Sequence, residues 1–201
     1  MDVLRISPNY TSTDWKRLDK NKQDDWSTAA GMVRDRLDGR FLRFASSCLR
    51  FKDSGFVVLS IDCMLAEAIQ QFTEGITDGR GMSEAMIKRF LEGSPFQPDF
   101  DANARKAFYT DIRCGLLHQA EAKEMWLIRR NQPRMLQKVA GGQGYIIDVK
   151  RFHSAVRDSL DGYLELIRNP SRSDLRMNLW NKMNHICNVR IARGALYESI
   201  D

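Results

Sequence analysis

Residues 55–76 carry the longest clean apolar helical pattern in this 201-residue chain, and any fold must bury it. Val58, Ile61, Leu65, Ala68, Ile69, Phe72 and Ile76 fall within one face about 100° wide when each residue turns about 100°. Asp53 or Ser54 can cap the start, and Asp78-Gly79 ends the run. A stripe of this kind needs other helices against it. Asp62 lies about 40° from Val58 and about 20° from Ile69 on the same wheel. A carboxylate therefore stands at the edge of the buried stripe, where it needs a partner, while Glu67 points to the opposite side.

The rest of the chain supplies those partners. Residues 13–50 read as helix, with Thr13 capping the first turn and Trp26, Ala29, Ala30, Val33 and Leu37 at helical spacing. Asp38-Gly39 breaks or bends it, and Phe41, Phe44, Ala45, Cys48 and Leu49 share one side of the continuation. A shorter helix at 83–91 has Ser83 as cap and Gly93 as terminator, and two prolines then keep 94–100 out of helix. Asp101 caps a helix with Phe108, Tyr109, Ile112, Leu116 and Ala120 on its main face and Ala107, Cys114 and Leu117 behind. A helix apolar on several sides is buried on several sides, either centrally in a bundle or at a subunit contact, and the contact is the expectation for part of it.

The pattern then changes. Three short β-prone runs between 126 and 147, separated by Asn131-Gln-Pro133 and Gly141-Gly-Gln-Gly144, predict a small antiparallel β ribbon. Asp148 caps a helix to about Arg168, and Ser173 or Asp174 starts another through Cys187. The expected fold is mainly α, one helical domain over 1–201. It divides into a core at 51–124, a basic ribbon at 125–148 and C-terminal helices at 149–201.

A formal net charge of +5 is too small to argue for nucleic acid by itself, but its placement is uneven. Six Lys/Arg against one acid lie between Arg129 and Arg151, so Arg129, Arg130, Arg134 and Lys138 are candidates for tracking an RNA backbone, beside the simpler reading of a solvated edge. Neither a signal-like start nor 18 consecutive apolar residues is present, which predicts a cytoplasmic protein with no membrane segment. Cys48, Cys63, Cys114 and Cys187 form no CxxC pair and read as separate buried thiols, with no metal site. His153 and His185 have no acid or cysteine arrangement around them in sequence and read as surface or helix-packing residues. The residue patterns of nucleotide hydrolysis, dinucleotide chemistry, serine hydrolysis and zinc peptidases are missing, and no cofactor is expected.

Within 101–124 the hexapeptide Arg113-Cys-Gly-Leu-Leu-His118 puts a fixed cation and a titratable imidazole into an apolar helix. RNA is cleaved without metal when a base removes the 2′-hydroxyl proton and a cation stabilises the phosphorane, tasks suited to His and Arg. On a regular helix the two side chains stand about 140° apart around the axis and roughly 7.5 Å along it. They converge on one phosphate only if the helix is distorted or if two copies share a cleft. Tyr109, one turn before Arg113, lines that cleft or belongs to the core, and Asp62 would hold Arg113 or His118 in place if it faces them.

Arg113 followed after four positions by His118, late in a helical bundle, resembles the R-x(4 to 6)-H motif of the HEPN superfamily, over roughly residues 51–124. Active members often carry Asn, Asp or His directly after the arginine, where this chain has Cys114. The resemblance implies an all-α bundle that forms a homodimer with the motif at the dimer cleft. It implies a metal-independent endoribonuclease of a toxin–antitoxin, phage-defence or RNA-processing system, acting on RNA and in some settings paired with a protein antitoxin. The alternative expectation is a non-catalytic helical dimer that binds RNA or a protein partner.

Overall fold

The computed structural model describes residues 3–141 and 144–188 and is mainly helical with one small sheet. Helix α1 (Ser12–Lys16) is followed by α2 (Gln23–Leu37), a π-helical turn (Asp38–Leu42) and α3 (Arg43–Cys48). The long α4 (Gly55–Glu74) and α5 (Ser83–Glu92) come next. A segmented helix then runs through α6 (Ala102–Ala107), a second π-helical stretch (Phe108–Arg113) and α7 (Cys114–Gln119). Strands β1 (Trp126–Arg129), β2 (Leu136–Lys138) and β3 (Tyr145–Asp148) precede α8 (Val149–Arg168) and α9 (Ser173–Asn188).

Helix α4 is the centre, packed against α3, α5, α8 and α9. Val58, Leu65, Ile69 and Phe72 of the expected stripe are buried, and so are Leu59, Cys63 and Ala66 beside it. The helix stops at Glu74, short of Ile76. Gly75 takes a left-handed conformation there (φ 69°), and Asn178 of α9 donates to the Thr73 carbonyl at 2.7 Å while packing on Gly75. Among the described helices α4 alone is long and apolar enough to cross a membrane by length and composition, yet half of its apolar window is buried inside the bundle.

Aromatic side chains form two clusters. Trp180 lies 4.8 Å from Trp15 and 5.5 Å from Trp26, ring centre to ring centre, and joins α1, α2 and α9. Phe152 of α8 sits among Phe96, Phe100 and Phe108 at 5.1–6.1 Å and fixes the proline-rich loop against the segmented helix.

Local details differ from the sequence pattern for identifiable reasons. The cap of α1 is Thr11, not Thr13, because Thr11 and Asp14 satisfy each other's backbone N–H groups in a reciprocal box. Ser83 does not cap α5; its hydroxyl reaches Glu67 of α4 instead. Asp38-Gly39 bends the helix without ending it. Ala45 of the expected face is buried and Cys48 and Leu49 are half-buried, while Phe44, at the edge of that face, is 52% exposed. Asp101 and Asp148 cap α6 and α8 as their positions predict.

The sheet is mixed, not an antiparallel ribbon, with strand order β1-β3-β2. Strands β2 and β3 pair antiparallel, but β1 pairs parallel to the far side of β3, Trp126 opposite Tyr145 and Arg129 opposite Asp148. Arg130 anchors the end of β1. Its guanidinium donates to the Leu49 and Phe51 carbonyls and to Ser54 Oγ, which ties the end of β1 to the loop entering α4. The chain must then cross to reach β2. Gly142 and Gln143 of the expected turn, and residues 189–201 of the expected C-terminal segment, lie outside the described residues.

Candidate functional site

Arg113 ends the π-helical stretch, and His118 lies in the last turn of α7. The helical distortion ends at Arg113, and the residues from Cys114 to His118 are α-helical, so it does not by itself bring the two onto one face. Among the described residues no hydrogen bond or ion pair links Arg113 to His118. Each has a distinct setting.

Arg113 is turned toward α4. Its Nη2 donates to Glu67 Oε2 at 3.3 Å, both side chains being under one-fifth exposed. Ser83 Oγ donates to the same Glu67 oxygen at 2.6 Å, and the guanidinium carbon lies 5.8 Å from the centre of the Tyr109 ring. Burial, followed by the neighbouring Cys114, pushes the Tyr109 phenol above its ordinary value and favours the neutral ring. Glu67, which points away from the core stripe, is thus the partner that holds Arg113.

His118 is exposed. Its position depends on Gly115, where an added Cβ would come 2.4 Å from the Glu121 carbonyl oxygen. The chain reverses after α7 through Ala120 (φ 55°) and returns along its own helix, with Lys123 N–H donating to the Asp111 carbonyl at 3.0 Å. Trp126 Nε1 donates to Asp111 Oδ2 at 3.1 Å and carries β1 onto the same helix. Large apolar side chains remain exposed close in sequence to this assembly: Met64 one turn before Glu67, Met82 beside Ser83 and Leu117 one turn after Arg113. Phe56 and Val57 extend the exposed apolar surface along α4.

The basic candidates separate. Arg129, Arg134 and Lys138 are exposed, whereas Arg130 is consumed by the backbone carbonyls described above. In α9, Arg176 donates to the Ile167 and Arg168 carbonyls and Lys182 to Gln71 and Thr77, so these cations serve helix ends inside the protein.

Asp62 faces neither Arg113 nor His118. Its Oδ1 is 2.8 Å from Nδ1 of His153 on α8, and His153 Nε2 is 2.8 Å from Ser46 Oγ on α3. His153, expected at a surface or helix contact, is 2% exposed and Asp62 is fully buried. The acid at the edge of the α4 stripe was visible in sequence as a group in need of a partner; its partner 91 residues later was not. No group of three or more His, Cys, Asp or Glu placed to hold a metal occurs among the described residues.

No family model, curated protein or solved structure matches the chain.

Proposed function

We propose that this protein is a HEPN-like, metal-independent endoribonuclease acting as a homodimer, in a toxin–antitoxin or phage-defence setting. The observation that carries the reading is an arginine held rigidly by Glu67 and Tyr109, one helical segment from an exposed histidine, with unpartnered apolar side chains beside it. A guanidinium oriented in this way costs little ordering when a phosphate arrives. His118 is free to move a proton, and Met64, Met82 and Leu117 suit a contact with a second copy. In that dimer His118 removes the 2′-hydroxyl proton and Arg113 stabilises the charge on the phosphorane. Arg129, Arg134 and Lys138 contact the flanking RNA backbone.

The test incubates the purified protein with mixed single-stranded RNA in excess EDTA, beside His118→Ala, Arg113→Lys and Leu117→Glu. Cleavage by the native protein, lost in His118→Ala while its melting temperature is kept, is the expected result. Leu117→Glu should be monomeric by sedimentation and inactive. Absence of cleavage by the native protein, or equal cleavage by His118→Ala, overturns the enzymatic reading; RNA retention without cleavage would then leave a non-catalytic binding module.

A further inference from the structure

Ser46, His153 and Asp62 come from three different helices and meet in the order hydroxyl, imidazole, carboxylate, with both hydrogen-bonding distances at 2.8 Å. Three features set this chain of groups apart from a merely satisfied core histidine. The first is Ser46 itself. Ser47, Ser60 and Ser159 all donate to the carbonyl four residues earlier in their helices, the ordinary resting place of a helical serine. Ser46 instead turns to His153. When Asp62 is ionised it can only accept, and the tautomer that suits this order of groups has Nδ1–H donating to it and Nε2 accepting the Ser46 proton.

The second feature is Asp62. Its other oxygen, Oδ2, is buried with no hydrogen-bond partner. A fold that needed only packing at this position would gain by an apolar residue, whereas a carboxylate reserved for the imidazole stabilises the imidazolium that forms when His153 takes a proton. The third is access. Ser46 is half-buried and His153 lies at the base of a surface depression of about 330 Å³, which has Lys150 and Arg157 on the same face of α8 as the histidine. Asp158 and Asp161 also line the depression, and Asp161 pairs with Arg34 at 2.6 Å, so Lys150 and Arg157 stand beside two acids of which one has its own cation.

We infer that Ser46, His153 and Asp62 form a nucleophilic hydrolase site, separate from Arg113 and His118, for small carboxylic esters that carry an anionic group. Ser46 Oγ attacks the ester carbonyl carbon as its proton passes to His153 Nε2. The carbon–oxygen bond to the alcohol breaks, and the departing oxygen takes that proton from His153. Water, deprotonated by the same imidazole, then cleaves the acyl–Ser46 ester, releasing the carboxylic acid and restoring the serine. Lys150 and Arg157 bind the anionic group and set the preference.

The experiment treats the full chain with an alkyl fluorophosphonate, which forms an Oγ–phosphorus bond and expels fluoride, and locates the adduct by peptide mass mapping. Hydrolysis of p-nitrophenyl acetate and of the p-nitrophenyl monoester of succinic acid is followed in parallel. The expected result is an adduct on Ser46, absent in Ser46→Ala at an unchanged melting temperature, with ester hydrolysis falling ~100-fold in that variant. Arg157→Ala should raise KM for the succinate ester about tenfold more than KM for the acetate. No adduct on Ser46 in the native protein, or hydrolysis by folded Ser46→Ala equal to the native rate, overturns the assignment. Equal KM effects of Arg157→Ala on both esters overturn the anionic preference.

Discussion

Asp62 Oδ1 and His153 Nδ1 stand 2.8 Å apart, the carboxylate fully buried beneath an imidazole that is 3% exposed, and join α4 to α8. Burial pushes the Asp62 carboxyl above its ordinary value, and the hydrogen bond and charge of His153 pull it part of the way back. Removing the imidazole leaves a dry carboxyl with no partner. His153→Ala should lower the unfolding free energy by about 3 kcal/mol, read by urea denaturation. Adding Asp62→Ala to that variant should cost less than the two single losses summed, by about 1 to 3 kcal/mol. Strict additivity would show that the contact carries no coupling.

Glu67 is expected to act on RNA cleavage only through Arg113. Glu67→Gln keeps the size and an acceptor for Ser83 but removes the charge facing the guanidinium, and should cost about 1.5 kcal/mol of stability. Under the endoribonuclease reading it should also lower kcat for RNA cleavage more than it raises KM, because the arginine is displaced without loss of its charge. An unchanged kcat would separate Glu67 from the site.

Gly115 lies inside the hexapeptide because another part of the backbone passes over it. Gly115→Ala places a Cβ 2.4 Å from the Glu121 carbonyl oxygen, with Lys123 Cγ and N at 3.2 and 3.3 Å, so residues 120–123 must shift. The expected loss is about 1 to 3 kcal/mol in thermal unfolding. Faster amide exchange at Lys123, whose N–H bonds to Asp111, should accompany it. Gly31 has no atom within 4 Å of its added Cβ, so Gly31→Ala is a control expected to hold or raise stability.

Burial pushes the Glu74 carboxyl up, but hydrogen bonds from Arg89 and Gln70 outweigh it and hold the group below its ordinary value of 4.5. A carboxyl lowered on folding contributes stability that is present above the unfolded value and is lost as pH falls through the folded one. The stability difference between the native protein and Glu74→Gln should therefore be constant from pH 7 to about 5 and shrink below 4.5. Urea titrations at several pH values measure it; a difference that grows on acidification contradicts the sign.

Burial raises the Cys63 thiol far above its ordinary value, and pushes the Cys187 thiol up to about 11. Only a thiolate attacks an alkylating reagent. At pH 8 both cysteines should resist iodoacetamide in the folded protein and react once urea unfolds it, as followed by mass spectrometry. Rapid labelling of Cys63 under native conditions would place it outside the core.

Patterns that repeat within a few residues were legible in the sequence. The apolar stripe of α4, the caps Asp101 and Asp148, the turn signals around the small strands and the mainly helical class all follow from local periodicity and local hydrogen-bonding chemistry. The need of Asp62 for a partner was legible too, because its position on a buried stripe is a property of one helix. The identity of that partner was not. His153 lies on another helix, and only the packing of α3, α4 and α8 brings Ser46, His153 and Asp62 together. Glu67 and Ser83 likewise meet Arg113 because α5 and the segmented helix both lie on α4. Sequence determined which elements form and which side of each seeks the core. Tertiary structure decided which polar groups face one another, because that depends on contacts between residues distant along the chain.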